Sequence, residues 1–207
     1  MNPELVLATG NPGKIAEFSL LLEALGLRVR TLNEFPALGL PPEGDCSYAA
    51  NALVKARAVT RATQLCALAD DSGLEVDALG GAPGLLSARY GGPGLTDQER
   101  VQHLLAALGG IREERRAARF RCVVALTVPW GQEAVVEGIA EGRIAPAARG
   151  TGGFGYDPIF EIPALGRTFA ELSSSEKARV SHRARAIEAA RPILERWLGC
   201  RGGASSL

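Results

Sequence analysis

Glu4-Leu5-Val6-Leu7-Ala8-Thr9-Gly10-Asn11-Pro12-Gly13-Lys14-Ile15, continued by Phe18, Leu22, Leu25 and Gly26, is the stretch that decides the fold. The apolar run Glu4 to Ala8 is short and ends at a glycine turn, which reads as a buried strand. Beyond the turn, Ile15, Phe18, Leu22 and Leu25 recur at the spacing of one helix face. Gly26 closes that helix, because glycine enters the left-handed conformation at little cost. A strand, a glycine turn and a helix open a parallel-type unit. The same arrangement aims backbone N–H groups and the positive end of a helix dipole at whatever sits on the turn.

Working outward, Pro36 to Asp45 is rich in Pro and Gly and reads as a loop. A helix follows from about Ser47, with Leu53, Ala56 and Val59 on one face and Lys55 off that stripe. Leu65 to Ala69 is a second short strand that delivers Asp70 and Asp71 at its C-terminal end, a position suited to a cleft. Thr96 and Glu99 have capping-box spacing ahead of Val101, Leu104, Leu105 and Leu108, and Gly109-Gly110 is the stop. From Ala118 to Val128 the apolar residues Phe120, Cys122, Val124, Leu126 and Val128 alternate. Pro129-Trp130-Gly131 then turns the chain into a second extended run, Glu133 to Ile144, which predicts an antiparallel hairpin. A glycine loop, a short segment at Ser173 to Arg179 and a helix capped by Ser181 complete the chain. That last helix points Ala184, Ile187, Leu194 and Leu198 inward, and Pro192 is predicted to bend or interrupt it. Parallel units plus a long hairpin give an α/β fold built on a mixed sheet. The expected organisation is one two-lobed domain over residues 1–198 and a flexible tail over 199–207.

The 207 residues are 46% apolar, ample for a core, and carry 23 basic and 23 acidic side chains. A formal charge of zero excludes a surface that as a whole attracts nucleic acid or anionic membrane, so any phosphate recognition is local. Cys46, Cys66, Cys122 and Cys200 form no CxxC pair and have no His cluster, which argues against zinc and for packing roles. No secretory leader and no apolar run of about 18 residues is present, so a soluble cytoplasmic protein is expected.

Four segments carry candidate chemistry. Gly10-Asn11-Pro12-Gly13-Lys14 lacks the spacing of a P-loop. It fits either an anion cradle with Lys14 as a point charge, or a tight turn with a solvated lysine. Asp70 and Asp71 point to opposite faces of an extended chain, so one of them enters a cleft and the other is held structurally. Magnesium suits such a site, since it takes few protein carboxylates and keeps water and substrate oxygens. Thr151 to Pro158 holds Gly152, Gly153 and Gly155 around Phe154 and Tyr156. Its glycines permit backbone approach to a base edge while a ring stacks on the base, or else the rings pack in the core. Asp157 accepts from a base N–H or braces the loop. Ser181-His182-Arg183 opens the last helix, and Lys177 just upstream is a solvated lysine or a second phosphate cation. His103, inside the capped helix, reads as structural.

Together these segments resemble the inosine/xanthosine triphosphate pyrophosphatase family over nearly the whole chain. The resemblance rests on Leu7 to Asn11, Asn51-Ala52 with Lys55-Ala56, Ala69 to Gly73, Gly80 to Gly84, Ser87 to Tyr90, the Thr151 loop and Ser181 to Arg183. It implies an elongated mixed sheet flanked by helices, with a central nucleotide-binding cleft between two lobes. It also implies magnesium-dependent hydrolysis of ITP, dITP and XTP to the monophosphate and pyrophosphate, by a homodimer. By position, Thr9, Gly10, Asn11, Pro12, Gly13, Lys14 and Lys177 hold the phosphates. Phe154, Gly155, Tyr156, Asp157, His182 and Arg183 surround the base. Glu43 joins Asp71 on magnesium, Asp71 activates water, and Ser72 and Lys55 make further substrate contacts. Ala50 departs from the family, which commonly has Glu directly before the Asn-Ala pair, so metal binding rests more on Glu43 and Asp71.

Overall fold

A computed structural model describes residues 2–199. Cys200 and residues 200–207 of the expected tail lie outside the described residues. In chain order the elements are β1 (Glu4–Leu7), α1 (Pro12–Glu23), β2 (Arg28–Thr31), α2 (Tyr48–Thr63), β3 (Cys66–Val76), α3 (Asp97–Ala107), β4 (Ala117–Thr127), β5 (Glu133–Ile144), β6 (Phe160–Ile162), β7 (Arg167–Thr168), α4 (Ser174–Val180) and α5 (His182–Leu198). The seven strands form one sheet in the order β2-β1-β3-β4-β5-β6-β7.

The sheet is mixed, as the sequence predicts. β1 runs parallel to both neighbours, with Leu5 opposite Val29 on β2 and Cys66 on β3. Each of these parallel pairs is joined through a helix, α1 and then α2, as parallel pairing requires. β4 and β5 form the expected hairpin. Its turn is closed by Val128 N–H donating to the Gln132 carbonyl at 3.1 Å, and at its far end Ile144 N–H donates to the Arg116 carbonyl at 2.9 Å. β6 pairs antiparallel with β5 and with β7.

The chain divides into two compact units, one drawn from residues 2–71, 122–138 and 183–199, the other from 72–121 and 139–182. In the first, Leu5, Leu7, Phe18, Leu22, Cys122, Val124, Leu126, Ile187 and Leu194 pack on one face of the sheet. Val6, Ala8, Ala52, Ala56, Val59, Ala67 and Ala69 pack on the other. Alternate residues of β1 thus enter both layers, which is why its sequence is apolar throughout rather than alternating. In the second unit Leu74, Val76, Val101, Leu104, Leu108, Tyr156 and Ile159 surround an aromatic cluster. There the Phe120 and Phe160 ring centroids lie 4.7 Å apart, and those of Phe160 and Phe169 4.9 Å apart.

Several local expectations hold. Ser47 caps α2 by accepting from Ala50 N–H, Thr96 and Glu99 form a reciprocal capping box, and Gly26 has φ 76°. Others are corrected. β3 does not stop at Ala69 but runs on through Asp70, Asp71, Ser72 and Gly73 to Val76. The segment has turn composition, but it continues a strand whose Cys66 to Leu68 pair with β1, and its acids find partners in Lys14 and Asn51 that hold the backbone extended. α5 continues unbroken through Pro192. Its buried face is Ala186, Ile187, Ala190 and Leu194, while Ala184 is only half-buried. Cys66 and Cys122 are core residues, whereas Cys46 is exposed. The short strands β2, β6 and β7 have too few residues to show a period. Among the described residues no helix is long and apolar enough to cross a membrane.

Candidate functional site

The first cluster starts at the turn after β1. Asn11 caps α1 by accepting from Lys14 N–H at 3.1 Å, Pro12 occupies the first turn, and Thr9 Oγ1 accepts from Asn11 N–H at 3.2 Å. The turn is therefore rigid before any ligand arrives. Gly10 is exposed, and a Cβ there would meet nothing within 4 Å, so the loop surface is open. Lys14, the first residue able to project from the helix start, reaches Asp70 Oδ2 at 2.8 Å.

Asp70 is fully buried on β3. Burial alone would raise its pKa, but Lys14, Arg183 and Lys55 outweigh it and hold the carboxyl down at about 2. Asp70 is thus the permanently ionised, structurally held acid of the pair, and it orients Lys14. Arg183, itself 4% exposed, donates to Glu17 Oε2 at 3.0 Å and lies over the Phe18 ring. The resemblance places Arg183 at the base; its observed neighbours are Glu17 and Phe18, and its charge helps to hold Asp70 ionised.

Asp71 points to the other face of β3, as alternation requires. Its Oδ2 accepts from Asn51 Nδ2 at 2.8 Å. Burial pushes its pKa up; the Asn51 hydrogen bond opposes this, and the Glu43 charge adds to the rise. The same Asn51 amide donates to the Gly44 carbonyl at 3.0 Å, and its Oδ1 accepts from Gly44 N–H at 2.8 Å. Asn51 therefore clamps the loop that carries Glu43 to the strand that carries Asp71. Its importance was not deduced from the sequence, although one signal existed: Asn51 and Lys55 are one helical turn apart on α2 and share a face.

Lys55 corrects the reading that placed it off the buried stripe. It is 5% exposed, and its Nζ donates to Glu43 Oε1 at 2.6 Å and to the Asp70 carbonyl at 2.6 Å. A buried ammonium needs such partners, and it finds them where the helix faces the acids. Among the described residues no group of three His, Cys, Asp or Glu side chains that could by itself hold a metal ion is found. Two carboxylates close enough for one to raise the other's proton affinity form a donor set that fits a hard divalent ion sharing its shell with substrate oxygens and water.

The second cluster lies in the other unit. The loop from 149 to 158 is closed at its base by Arg149 N–H donating to the Pro158 carbonyl at 2.8 Å. A Cβ at Gly150 would come within 2.5 Å of the Ala170 carbonyl oxygen, and one at Gly153 would collide with the Asp157 carboxylate. These glycines thus permit close backbone packing. Asp157, 2% exposed, accepts from Phe154 N–H at 2.8 Å and from Lys177 Nζ in a short ion pair. Of the two readings for Asp157, the loop brace is the one observed in these contacts. Lys177 is likewise buried against Asp157, with its ammonium 5.3 Å from the Phe154 ring centroid.

Tyr156 is 4% exposed in the core, and its hydroxyl donates to the Ser87 carbonyl at 2.9 Å. Its ring packs in the core, while Phe154 is half-buried. His182 is 1% exposed and lies parallel to Phe120, with centroids 4.6 Å apart. Ser72 sits half-buried on β3. His103, expected to be structural, packs edge-on against Tyr90 at 5.1 Å.

Comparison with known proteins bears on this geometry. Residues 5–193 match the model of the Ham1 family. A dITP/XTP pyrophosphatase of Thermus thermophilus is 52% identical over 186 residues, covering 90% of this chain and 89% of that protein. One from Bacillus subtilis is 45% identical over 93% of this chain and 97% of its own length. The structure of a HAM1 protein from Coxiella burnetii superposes with a TM-score of 0.82 at 42% identity, covering 94% of this chain and 99% of that one.

Proposed function

The chain belongs to the Ham1 family, and from that premise we propose that it hydrolyses the non-standard purine nucleoside triphosphates ITP, dITP and XTP to the monophosphate and pyrophosphate. The observation that carries the reading is the 52% identity, across nine-tenths of the chain, to a dITP/XTP pyrophosphatase. The arrangement of Lys14, Asp70, Asp71, Asn51, Lys55 and Glu43 supports it.

Glu43 and Asp71 are the residues that would hold magnesium, and the ion would supply positive charge to the phosphate oxygens. The remaining roles belong to the chain. Thr9 to Lys14 bind phosphate through the pre-capped turn, and Lys14, oriented by Asp70, stabilises the charge that develops on the leaving group. Asp71 orients water and accepts its proton; burial and Glu43 raise its affinity for that proton. Water oxygen bonds to the α-phosphorus as the bond from that phosphorus to the α,β-bridging oxygen breaks, and pyrophosphate departs. Positioning and charge stabilisation carry most phosphoryl-transfer catalysis, so a modest base suffices.

Phe154 supplies a stacking face, Gly155, Asp157 and His182 shape the surroundings of the base, and Lys177 contributes a second phosphate cation. A 6-oxopurine presents an acceptor and an N1–H donor where adenine presents the reverse, so a complementary buried edge leaves ATP with unmatched groups. Assembly as a homodimer in the cytoplasm completes the proposal; light scattering measures the first and fractionation the second. Hydrolysis of dITP in ¹⁸O-labelled water tests the chemistry. The label appears in the monophosphate if water attacks the α-phosphorus, and its appearance in pyrophosphate would contradict the mechanism. Asp71→Asn is expected to lose turnover by at least about a hundredfold, the lower range for removing a general base.

A further inference from the structure

Asp97, the first residue of α3, is outside every motif considered so far, yet it holds the glycine loop. Its Oδ2 accepts from Gly155 N–H at 2.8 Å, and its Oδ1 accepts from Arg100 Nη1 at 3.0 Å. Both carboxylate oxygens are thus engaged, and Arg100, whose side chain is 16% exposed, orients the group from one turn further along the helix. The helix start is itself fixed, since Thr96 N–H donates to Glu99 Oε2 at 2.7 Å and Glu99 N–H to Thr96 Oγ1 at 3.3 Å. At the other end of the contact Gly155 has φ 59°. A glycine in the left-handed region between two rings pays the largest ordering entropy of any residue, so a tie at this point has a large effect on loop order.

The contact also alters what the loop offers a ligand. Phe154 N–H is taken by Asp157 and Gly155 N–H by Asp97. Two consecutive donors at the loop tip are withdrawn, and the Phe154 carbonyl in turn accepts from Asp157 N–H at 3.2 Å, so the tip is held as a closed turn.

We propose that Asp97 is a positioning residue, which holds at Gly155 the loop that carries Phe154. Its kinetic consequence rests on the function proposed above. The test compares Asp97→Ala, Asp97→Asn and Glu99→Ala by amide hydrogen exchange at Gly155 and by steady-state kinetics on dITP. Glu99→Ala removes the capping box of the same helix without touching Gly155, so it controls for fraying of α3.

Asp97→Ala is expected to speed Gly155 exchange and raise KM for dITP on the order of tenfold, the equivalent of one charge-assisted hydrogen bond, with a smaller change in kcat. Asp97→Asn keeps an acceptor and restores most of both. Wild-type values in Asp97→Ala, or the same losses in Glu99→Ala, would overturn the inference. Absence of dITP turnover by the wild-type chain refutes the proposed function instead. Gly155 exchange then decides the tie alone, faster exchange in Asp97→Ala supporting it and unchanged exchange overturning it.

Discussion

Replacing Asp70 with Asn removes the charge around which Lys14, Lys55 and Arg183 are arranged, while keeping the side chain's shape. The carboxyl is held at about 2 against an ordinary 3.8. At about 1.36 kcal/mol per pH unit, that difference corresponds to roughly 2–3 kcal/mol of stability at neutral pH. Asp70 has no exposed surface, so solvent screening does not reduce the figure. Its sign follows from the direction of the shift. A depressed folded-state pKa contributes fully above the unfolded value, near 4, and the contribution is lost as pH falls toward 2. Total stabilities of about 5–15 kcal/mol make such a loss easy to resolve. Urea unfolding of wild type and Asp70→Asn, followed by far-UV circular dichroism in the presence of chelator, should show a gap of about 2–3 kcal/mol at pH 7 that narrows steadily below pH 4. A variant as stable as wild type at pH 7, or a gap that does not narrow in acid, would refute the account of Asp70 as a buried anion stabilised by surrounding cations.

Other outcomes follow from single contacts. Phe18 is fully buried beneath α1, and Phe18→Ala is expected to cost about 3–5 kcal/mol in the same urea assay. Asn51→Leu should release the Glu43 loop from Asp71 and raise the magnesium concentration for half-maximal activity about tenfold or more, in a titration at saturating dITP. Tyr156→Phe loses only the bond to the Ser87 carbonyl, so it is expected to lower stability by about 1–3 kcal/mol. Its KM for dITP should stay within about twofold of wild type, whereas loss of a base-stacking contact would give a larger rise.

Much of the architecture was legible because it rests on period and punctuation. The strand-turn-helix at Glu4 to Gly26, the Thr96 capping box and the alternation from Ala118 to Val128 each encode their element locally. Asp70 to Gly73 did not, because its turn-like composition is overridden by its place in a continuing strand and by Lys14 and Asn51, which lie far away in sequence. Lys55 was misplaced for the same reason: an apolar-stripe reading assigns a lysine to solvent unless the buried acids facing it are known. The opposed faces of Asp70 and Asp71 were legible, since strand alternation alone dictates them. The roles of Asn51 and Asp97 are not legible in the sequence, because each holds a backbone group of a loop, and backbone partners leave little trace in residue types. Of the loop aromatics, sequence had no means to tell that Tyr156 turns inward to Ser87 while Phe154 stays at the surface.

The central claim concerns substrate and bond. The most direct measurement is pyrophosphate release by the wild-type chain from ITP, XTP, dITP, GTP and ATP, each with magnesium and with chelator. Magnesium-dependent release from ITP, XTP and dITP far above that from GTP and ATP is the predicted result. Equal rates on ATP, or no release from any inosine or xanthosine nucleotide by the folded protein, would contradict it.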